Sequence, residues 1–144
     1  MEKQHYKTSI EIPATPETAY LLIADVSGWW AKDFNGRAVA DGDRFRVTFG
    51  TTWVDFIVKN AIAGKTVTWH VADCHLPWLE HKTEWTGTDV VWNITQSDSG
   101  TRIEMTHVGL FPAIECYETC RSGWNRHINE SLQSLANTGK GMPA

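Results

Sequence analysis

Apolar and polar residues alternate along much of the chain, and this period of two predicts β-strands with one buried face. The alternating stretches are rich in Val, Ile, Thr, Phe and Trp, the residues that favour strands. Turn residues such as Gly50-Thr51 and Ser97-Asp98-Ser99-Gly100 separate them. The pattern predicts six strands, at residues 4–12, 43–49, 54–59, 66–71, 83–95 and 102–107.

Three other stretches carry helix signals. Thr15 is a suitable N-cap followed by Pro16, and predicts a helix that ends near Ala24. Residues 25–30 follow as a second short helix or turn. The last element is predicted to begin at Pro112 and to end near Asn137, before a glycine C-cap. Its apolar stripe has spacings of three and four, at Tyr117, Cys120, Trp124, Ile128, Leu132 and Leu135.

Together these elements predict an α+β fold with a curved antiparallel sheet of about six strands and a long C-terminal helix. Two short helices follow the first strand. The apolar face of the sheet and the apolar stripe of the final helix are expected to pack against each other. A length of 144 residues fits one domain, residues 1–144, with a substantial core.

Eight tryptophans are an unusually large number for a chain of this size. Either their rings fill the interior or they line a cavity. Trp69, Trp92 and Trp124 are predicted where the sheet meets the final helix, whereas Trp29, Trp30 and Trp78 fall near loops where a cavity would open. Trp53 and Trp85 have no firm assignment from their position alone.

The charge of the chain, its short apolar runs and the motifs it lacks argue against several classes of function. The formal net charge is −4 and no cluster of Lys or Arg appears, so nucleic acid is not an expected partner. Apolar runs are too short for a transmembrane helix. The N-terminal residues lack the apolar stretch of a secretory signal, and a cytoplasmic location is the resulting expectation. We expect no cofactor, because neither a phosphate-binding glycine loop nor a dinucleotide motif is present.

The three cysteines leave several alternatives open. An odd number excludes a complete disulfide framework, and free thiols are expected in a reducing compartment. Cys116 and Cys120 lie one helical turn apart. With a histidine they could hold a soft metal ion, and Cys74-His75 could complete such a site if its loop folds onto the helix. Structural burial or a response to redox conditions is the favoured alternative, so no metal site is predicted.

Several segments of the chain resemble a known family. They are Glu84-Trp85-Thr86-Gly87, residues 101–110, Cys116-Tyr117, Gly123-Trp124 and residues 138–141. These segments are similar to those of small SRPBCC proteins, which share the helix-grip fold of START lipid-transfer domains. More narrowly they resemble homologues of the activator of the heat-shock-protein-90 ATPase. The resemblance implies a deep hydrophobic cavity between the sheet and the final helix, but it implies no single ligand or reaction.

Nine residues are candidates for the wall of such a cavity, and no catalytic residue is assigned. They are aromatic or apolar residues that are predicted to lie on the inward face of a strand or of the final helix: Phe45, Phe56, Trp69, Trp92, Met105, His107, Tyr117, Cys120 and Trp124. His107 would orient a polar group of the ligand or act as a general acid or base. The alternative is a structural histidine satisfied by hydrogen bonds. Asp55, Glu84 and Glu104 are expected to face solvent, and residues 139–141 to form a frayed tail.

Three functions follow. The favoured hypothesis is a binding protein, without catalysis, for a small hydrophobic, aromatic or lipid-like ligand. The second is a co-chaperone with a heat-shock-protein-90 partner, which the resemblance alone implies. The third is an enzyme of the cyclase or hydratase kind that uses His107, because the superfamily includes such enzymes.

Overall fold

The computed structural model describes residues 4–144 and confirms an α+β fold built on one antiparallel sheet. The sheet has seven strands in the order β1-β7-β6-β5-β4-β3-β2. Residues 1–3, part of the stretch on which the expected cytoplasmic location is based, lie outside the described residues. The strands are β1 Tyr6–Ile12, β2 Asp33–Gly36, β3 Arg44–Phe49, β4 Thr52–Ile62, β5 Thr66–His75, β6 Asp89–Ser97 and β7 Gly100–Val108.

Two short helices follow β1, as the sequence predicts. Helix α1 is Pro16–Ala24, and the Thr15 hydroxyl accepts a hydrogen bond from the Thr18 N–H at 3.2 Å. Helix α2 is Val26–Trp29. It places Trp29 and Trp30 against the inner face of the sheet, where both rings are buried.

The final helix is continuous over 22 residues and has three parts. They are α3 Tyr117–Trp124, a π-helical segment Asn125–Leu132, and α4 Gln133–Thr138. The helix begins five residues later than predicted, because residues 112–116 form turns. It ends as predicted at Gly139, whose φ of +82° favours glycine.

The sheet differs from the prediction most at two places, and β4 and β5 also run longer than predicted, so that Cys74-His75 lies in β5 and not in a loop. Strand β6 begins at Asp89 and not near Thr83, because residues 82–87 form turns. The one strand that the sequence does not predict is β2, because its Asn35-Gly36 is typical of a turn. It has only four residues and no buried side chain, so it lacks the alternation that identified the other strands.

Aromatic rings fill the interior between the sheet and the final helix. The alternation correctly predicts which face of each long strand is buried. Trp69 lies in the middle, with its ring centroid 5.1 Å from Phe45 and 5.2 Å from Trp92. Trp30, the residue directly after α2, stacks on it at 6.1 Å. Trp53 has the opposite parity and lies on the outer face, where the Arg46 guanidinium is 4.2 Å from its ring.

The edge of the sheet at β1 is covered by the final helix. Tyr6 donates a hydrogen bond to Asn125 at 2.5 Å and Thr8 donates one to Asn129 at 3.1 Å. Farther along, the Gln133 side chain donates to the Glu11 carbonyl at 2.9 Å. The helix therefore protects this edge from pairing with another strand.

The segment after the final helix is ordered, which corrects the expectation of a frayed tail at residues 139–141. The Met142 N–H donates to the Ser131 hydroxyl at 2.7 Å, and the Ala144 N–H donates to the Trp30 carbonyl at 2.9 Å. Gly141 passes so close to Gly28 that a Cβ atom would collide with its carbonyl oxygen. The tail thus holds α2, and with it Trp30, in position.

Candidate functional site

An apolar cleft of about 240 Å³ lies where β3, β4 and the loop after β5 meet the first half of the final helix. Its wall combines the rings of four tryptophans with small and apolar side chains from both sides. The lining residues are Trp30, Phe49, Thr52, Val54, Leu76, Trp78, Trp85, Thr119, Cys120, Gly123, Trp124 and His127.

The tryptophans of the cleft form a connected wall. The Trp124 ring packs 4.8 Å from Trp30 and lies nearly parallel to Trp85, at 5.9 Å and 11°. These three rings are at most 7% exposed. Trp78 is 49% exposed, so it stands at the rim, where its indole N–H donates to the Thr52 hydroxyl at 3.2 Å.

His107 lies fully buried behind this wall and outside the cleft lining. An indole N–H can only donate, so the Trp124 N–H donates to His107 Nδ1 at 3.0 Å. The proton of the neutral ring is therefore on Nε2, which donates to the Thr88 hydroxyl at 2.9 Å. Thr88 in turn donates to the Trp85 carbonyl at 2.7 Å. This chain of hydrogen bonds occupies both ring nitrogens.

Burial also lowers the pKa of His107 to about 3, with a smaller contribution from the nearby His5. The ring is therefore neutral at physiological pH, as the Trp124 hydrogen bond requires. The described arrangement matches a structural histidine that orients Trp124 and Trp85. Its ring has no route to a molecule in the cleft.

His127 is the one titratable side chain in the wall of the cleft. Burial, and then the charge of Arg126, lowers its pKa to about 4. Its Nδ1 is buried and has no hydrogen-bond partner among residues 4–144. The cleft therefore presents a neutral imidazole.

Two carboxylates brace the loop after β5 against the start of the final helix. Glu84 accepts hydrogen bonds from the N–H groups of Glu115 at 3.2 Å and Cys116 at 2.9 Å. In return Glu115 accepts from the N–H groups of Glu80 at 2.9 Å and His81 at 3.1 Å. These bonds lower the pKa of Glu115. The Glu84 side chain is only 9% exposed, which corrects the expectation that it faces solvent.

Cys116 and Cys120 form a disulfide across one turn, with Cα atoms 5.6 Å apart. This contradicts the expectation of three free thiols, and Cys74 alone is free. The Trp85 indole N–H donates to the Cys116 sulfur at 3.3 Å, and Cys120 lines the cleft. No group of three or more His, Cys, Asp or Glu within residues 4–144 is arranged to hold a metal ion.

The structure places the nine candidate residues in three different environments. Cys120 and Trp124 line the cleft. Tyr117 lies at a separate polar groove beside His5 and Arg121. The other six are buried in the interior with at most 3% exposure: Phe45, Phe56, Trp69, Trp92, Met105 and His107. That any of the nine binds a ligand stays a prediction.

Several lining residues were missed by the inward-parity argument. Thr119, Gly123 and His127 form a row at spacing four along the final helix, beside the predicted stripe of Cys120, Trp124 and Ile128. The spacing itself was a usable signal, because a helix that borders a cleft needs a second row of small or weakly polar residues. Thr52 and Leu76 carried no comparable signal.

Comparison with solved structures defines the class of protein. The chain has the SRPBCC fold, in which the long helix is gripped by a curved antiparallel sheet. Within that class the fold is Aha1-like: the solution structure of the Aha1 dimer from Colwellia psychrerythraea matches with a TM-score of 0.79 and 26% identity, over 96% of this chain and 99% of that one.

Two more distant structures share the fold. Protein SSP2350 from Staphylococcus saprophyticus has a TM-score of 0.73 and 12% identity, over 96% of both chains. DynU16, a putative protein in the dynemicin biosynthetic locus, has a TM-score of 0.70 and 16% identity, and matches 97% of this chain but 49% of its own. No protein-family model matches the sequence, and no curated protein matches it significantly. Among residues 4–144, no helix is long and apolar enough to cross a membrane.

Proposed function

We propose that the protein binds a small ring-containing apolar molecule in the cleft between the loop after β5 and the final helix. The observation that carries this proposal is the contrast between two aromatic regions. Around Trp69 the rings pack against one another and leave the interior filled, whereas Trp30, Trp78, Trp85 and Trp124 surround open space. A concave cleft with an apolar and aromatic wall is the kind of site that binds small molecules.

The geometry supports binding through the faces and edges of rings. Aromatic pairs gain about 0.5–1.5 kcal/mol beyond the area they bury, and a bound ring would extend the packing of Trp85 on Trp124. The His107 chain keeps Trp124 from turning, so the wall is ordered before a ligand arrives.

Gly123 provides the sharpest test, because a Cβ at this position meets no atom within 4 Å. We expect Gly123→Leu to fill the cleft and to weaken at least tenfold the binding of any one- or two-ring aromatic compound that binds the native protein. Binding is measured by tryptophan fluorescence with a panel of such compounds. Gly123→Ala is the matched control, which retains most of the space and stabilises the helix by about 0.5–1 kcal/mol. Undiminished binding to Gly123→Leu would contradict the proposed site.

A second candidate is a co-chaperone role with heat-shock protein 90. The observation in its favour is the Aha1-like fold over 96% of the chain. The Aha1 structure is a dimer, and a dimer of this chain is part of the same candidate. Adding the purified protein to the chaperone should raise its ATPase rate if this candidate is correct, and an unchanged rate at saturating protein counts against it.

The cyclase or hydratase hypothesis has no comparable support. It depends on His107 as an acid or base, but both nitrogens of this ring are occupied and its surface is fully buried. We therefore favour binding over catalysis.

A further inference from the structure

The wall of the cleft contains no Asp, Glu, Lys or Arg residue. We infer that the cleft selects uncharged aromatic molecules of one or two fused rings and rejects their carboxylate or phosphate counterparts. This inference rests on the proposed function and specifies its class of ligand, which the sequence left open between lipid-like and aromatic molecules.

An anionic ligand would find no cation in this wall. His127 is the only ring that could become one, and burial beside Arg126 keeps it neutral near pH 7. An unpaired charge that enters an apolar site loses its hydration and gains nothing in return. A fatty acid or a phospholipid headgroup is therefore a poor match for the site.

The hydrogen-bond donors around the cleft are also committed within the protein. Three of the four indole N–H groups in the wall already donate: Trp78 to Thr52, Trp85 to Cys116, and Trp124 to His107. The wall of the cleft therefore presents mainly ring carbon atoms to a ligand. The hydroxyls of Thr52 and Thr119 allow one or two neutral polar contacts.

The start of the final helix would ordinarily attract an anion, because its free N–H groups and dipole are positive. Here the Glu84 carboxylate lies beside that end, where it accepts from the N–H groups of Glu115 and Cys116 in the turn that precedes the helix. A second anion near this helix end would meet the negative charges of Glu84 and Glu115. The helix end therefore adds to the discrimination against acids.

The volume limits the size of the ligand. An apolar cavity of about 150 Å³ is enough for benzene. The cleft measures about 240 Å³, which fits one ring with a substituent or two fused rings. A sterol or a long acyl chain would extend well beyond the rim at Trp78.

The test compares two probes of the same shape, naphthalene-2-carboxamide and 2-naphthoate, at pH 7 by tryptophan fluorescence. The amide is expected to bind at least ten times more tightly than the carboxylate. Thr119→Lys introduces a cation at the wall and should reduce that preference at least threefold, whereas the uncharged control Thr119→Gln should preserve it.

The outcomes separate the two proposals. If 2-naphthoate binds as tightly as the amide in the native protein, the inference about charge is wrong while the binding function stands. If neither probe nor any other compound of the aromatic panel binds, the proposed function fails, and the inference with it. A preference that Thr119→Lys leaves unchanged also overturns the inference, because the preference would then have a cause other than the missing cation.

Discussion

Three of the buried tryptophans are oriented by a hydrogen bond that the indole N–H donates. Trp124 is fixed by His107, Trp85 by the Cys116 sulfur, and Trp29 by the Ile23 carbonyl at 3.2 Å. An indole held at its nitrogen cannot rotate freely, so its face stays where the fold places it. These hydrogen bonds therefore explain how a cleft with aromatic walls can stay open.

His107 predicts a specific dependence of stability on pH. In the unfolded chain it takes up a proton near pH 6.5, but in the folded protein only near pH 3. Its contribution to stability is therefore complete above pH 6.5 and is lost as the pH falls, by about 2 kcal/mol at pH 5. His127 adds a smaller loss of the same sign, because it is partly exposed.

The measurement is the free energy of unfolding in urea from pH 8 to pH 5. His107→Asn removes the titrating ring, and its unfolding free energy should fall less steeply with decreasing pH than that of the native protein. His75→Asn, which changes a histidine that stacks on Trp53 on the outer face, is the control and should retain the native slope. Equal slopes for the native protein and His107→Asn would refute the assigned role.

At the scale of elements, the cleft depends on how the loop after β5 is attached to the final helix. The loop carries Trp78 and Trp85, the helix carries Trp124, and the carboxylates of Glu84 and Glu115 join the two in both directions. Each carboxylate satisfies backbone N–H groups that would otherwise lack partners at a helix start or in a turn. Sequence patterns gave no indication of this brace, because its partners are 31 to 35 residues apart.

The brace is tested by Glu84→Gln. The amide retains one acceptor oxygen and loses the charge, so we expect a loss of about 1–3 kcal/mol in the free energy of unfolding at pH 7. Glu130→Gln on the exposed side of the final helix is the control and should change stability by less than about 0.5 kcal/mol. The brace would be unnecessary if both variants unfolded at the same urea concentration.

At the scale of the whole molecule, the sequence predicts the fold better than the site. Alternation identified the long strands and their buried faces, because Trp69, Trp92 and Met105 must point toward one core. The short polar strand β2 and the late start of the final helix carried no such periodic signal. Both are fixed by contacts between distant parts of the chain, such as β2 pairing with β3 and Glu84 bonding to Cys116.

The site was harder to predict because parity separates inside from outside but does not separate a packed interior from an open one. Phe45, Phe56 and Trp69 satisfied the same criterion as Trp124, yet their rings fill space while Trp124 borders it. Trp30, whose carbonyl is bonded to Ala144 of the ordered tail, packs against both Trp69 in the interior and Trp124 in the cleft wall. That arrangement depends on three-dimensional packing that no local pattern encodes.

The central claim is that ligands bind in the cleft and not in the aromatic interior or at the polar groove beside Tyr117. Amide chemical-shift mapping with naphthalene-2-carboxamide tests it most directly. We predict the largest shifts at residues 76–85 and at Thr119, Gly123 and His127, with small shifts at Phe45 and Met105. Largest shifts at the interior strands or around Tyr117 and Arg121 would contradict the account.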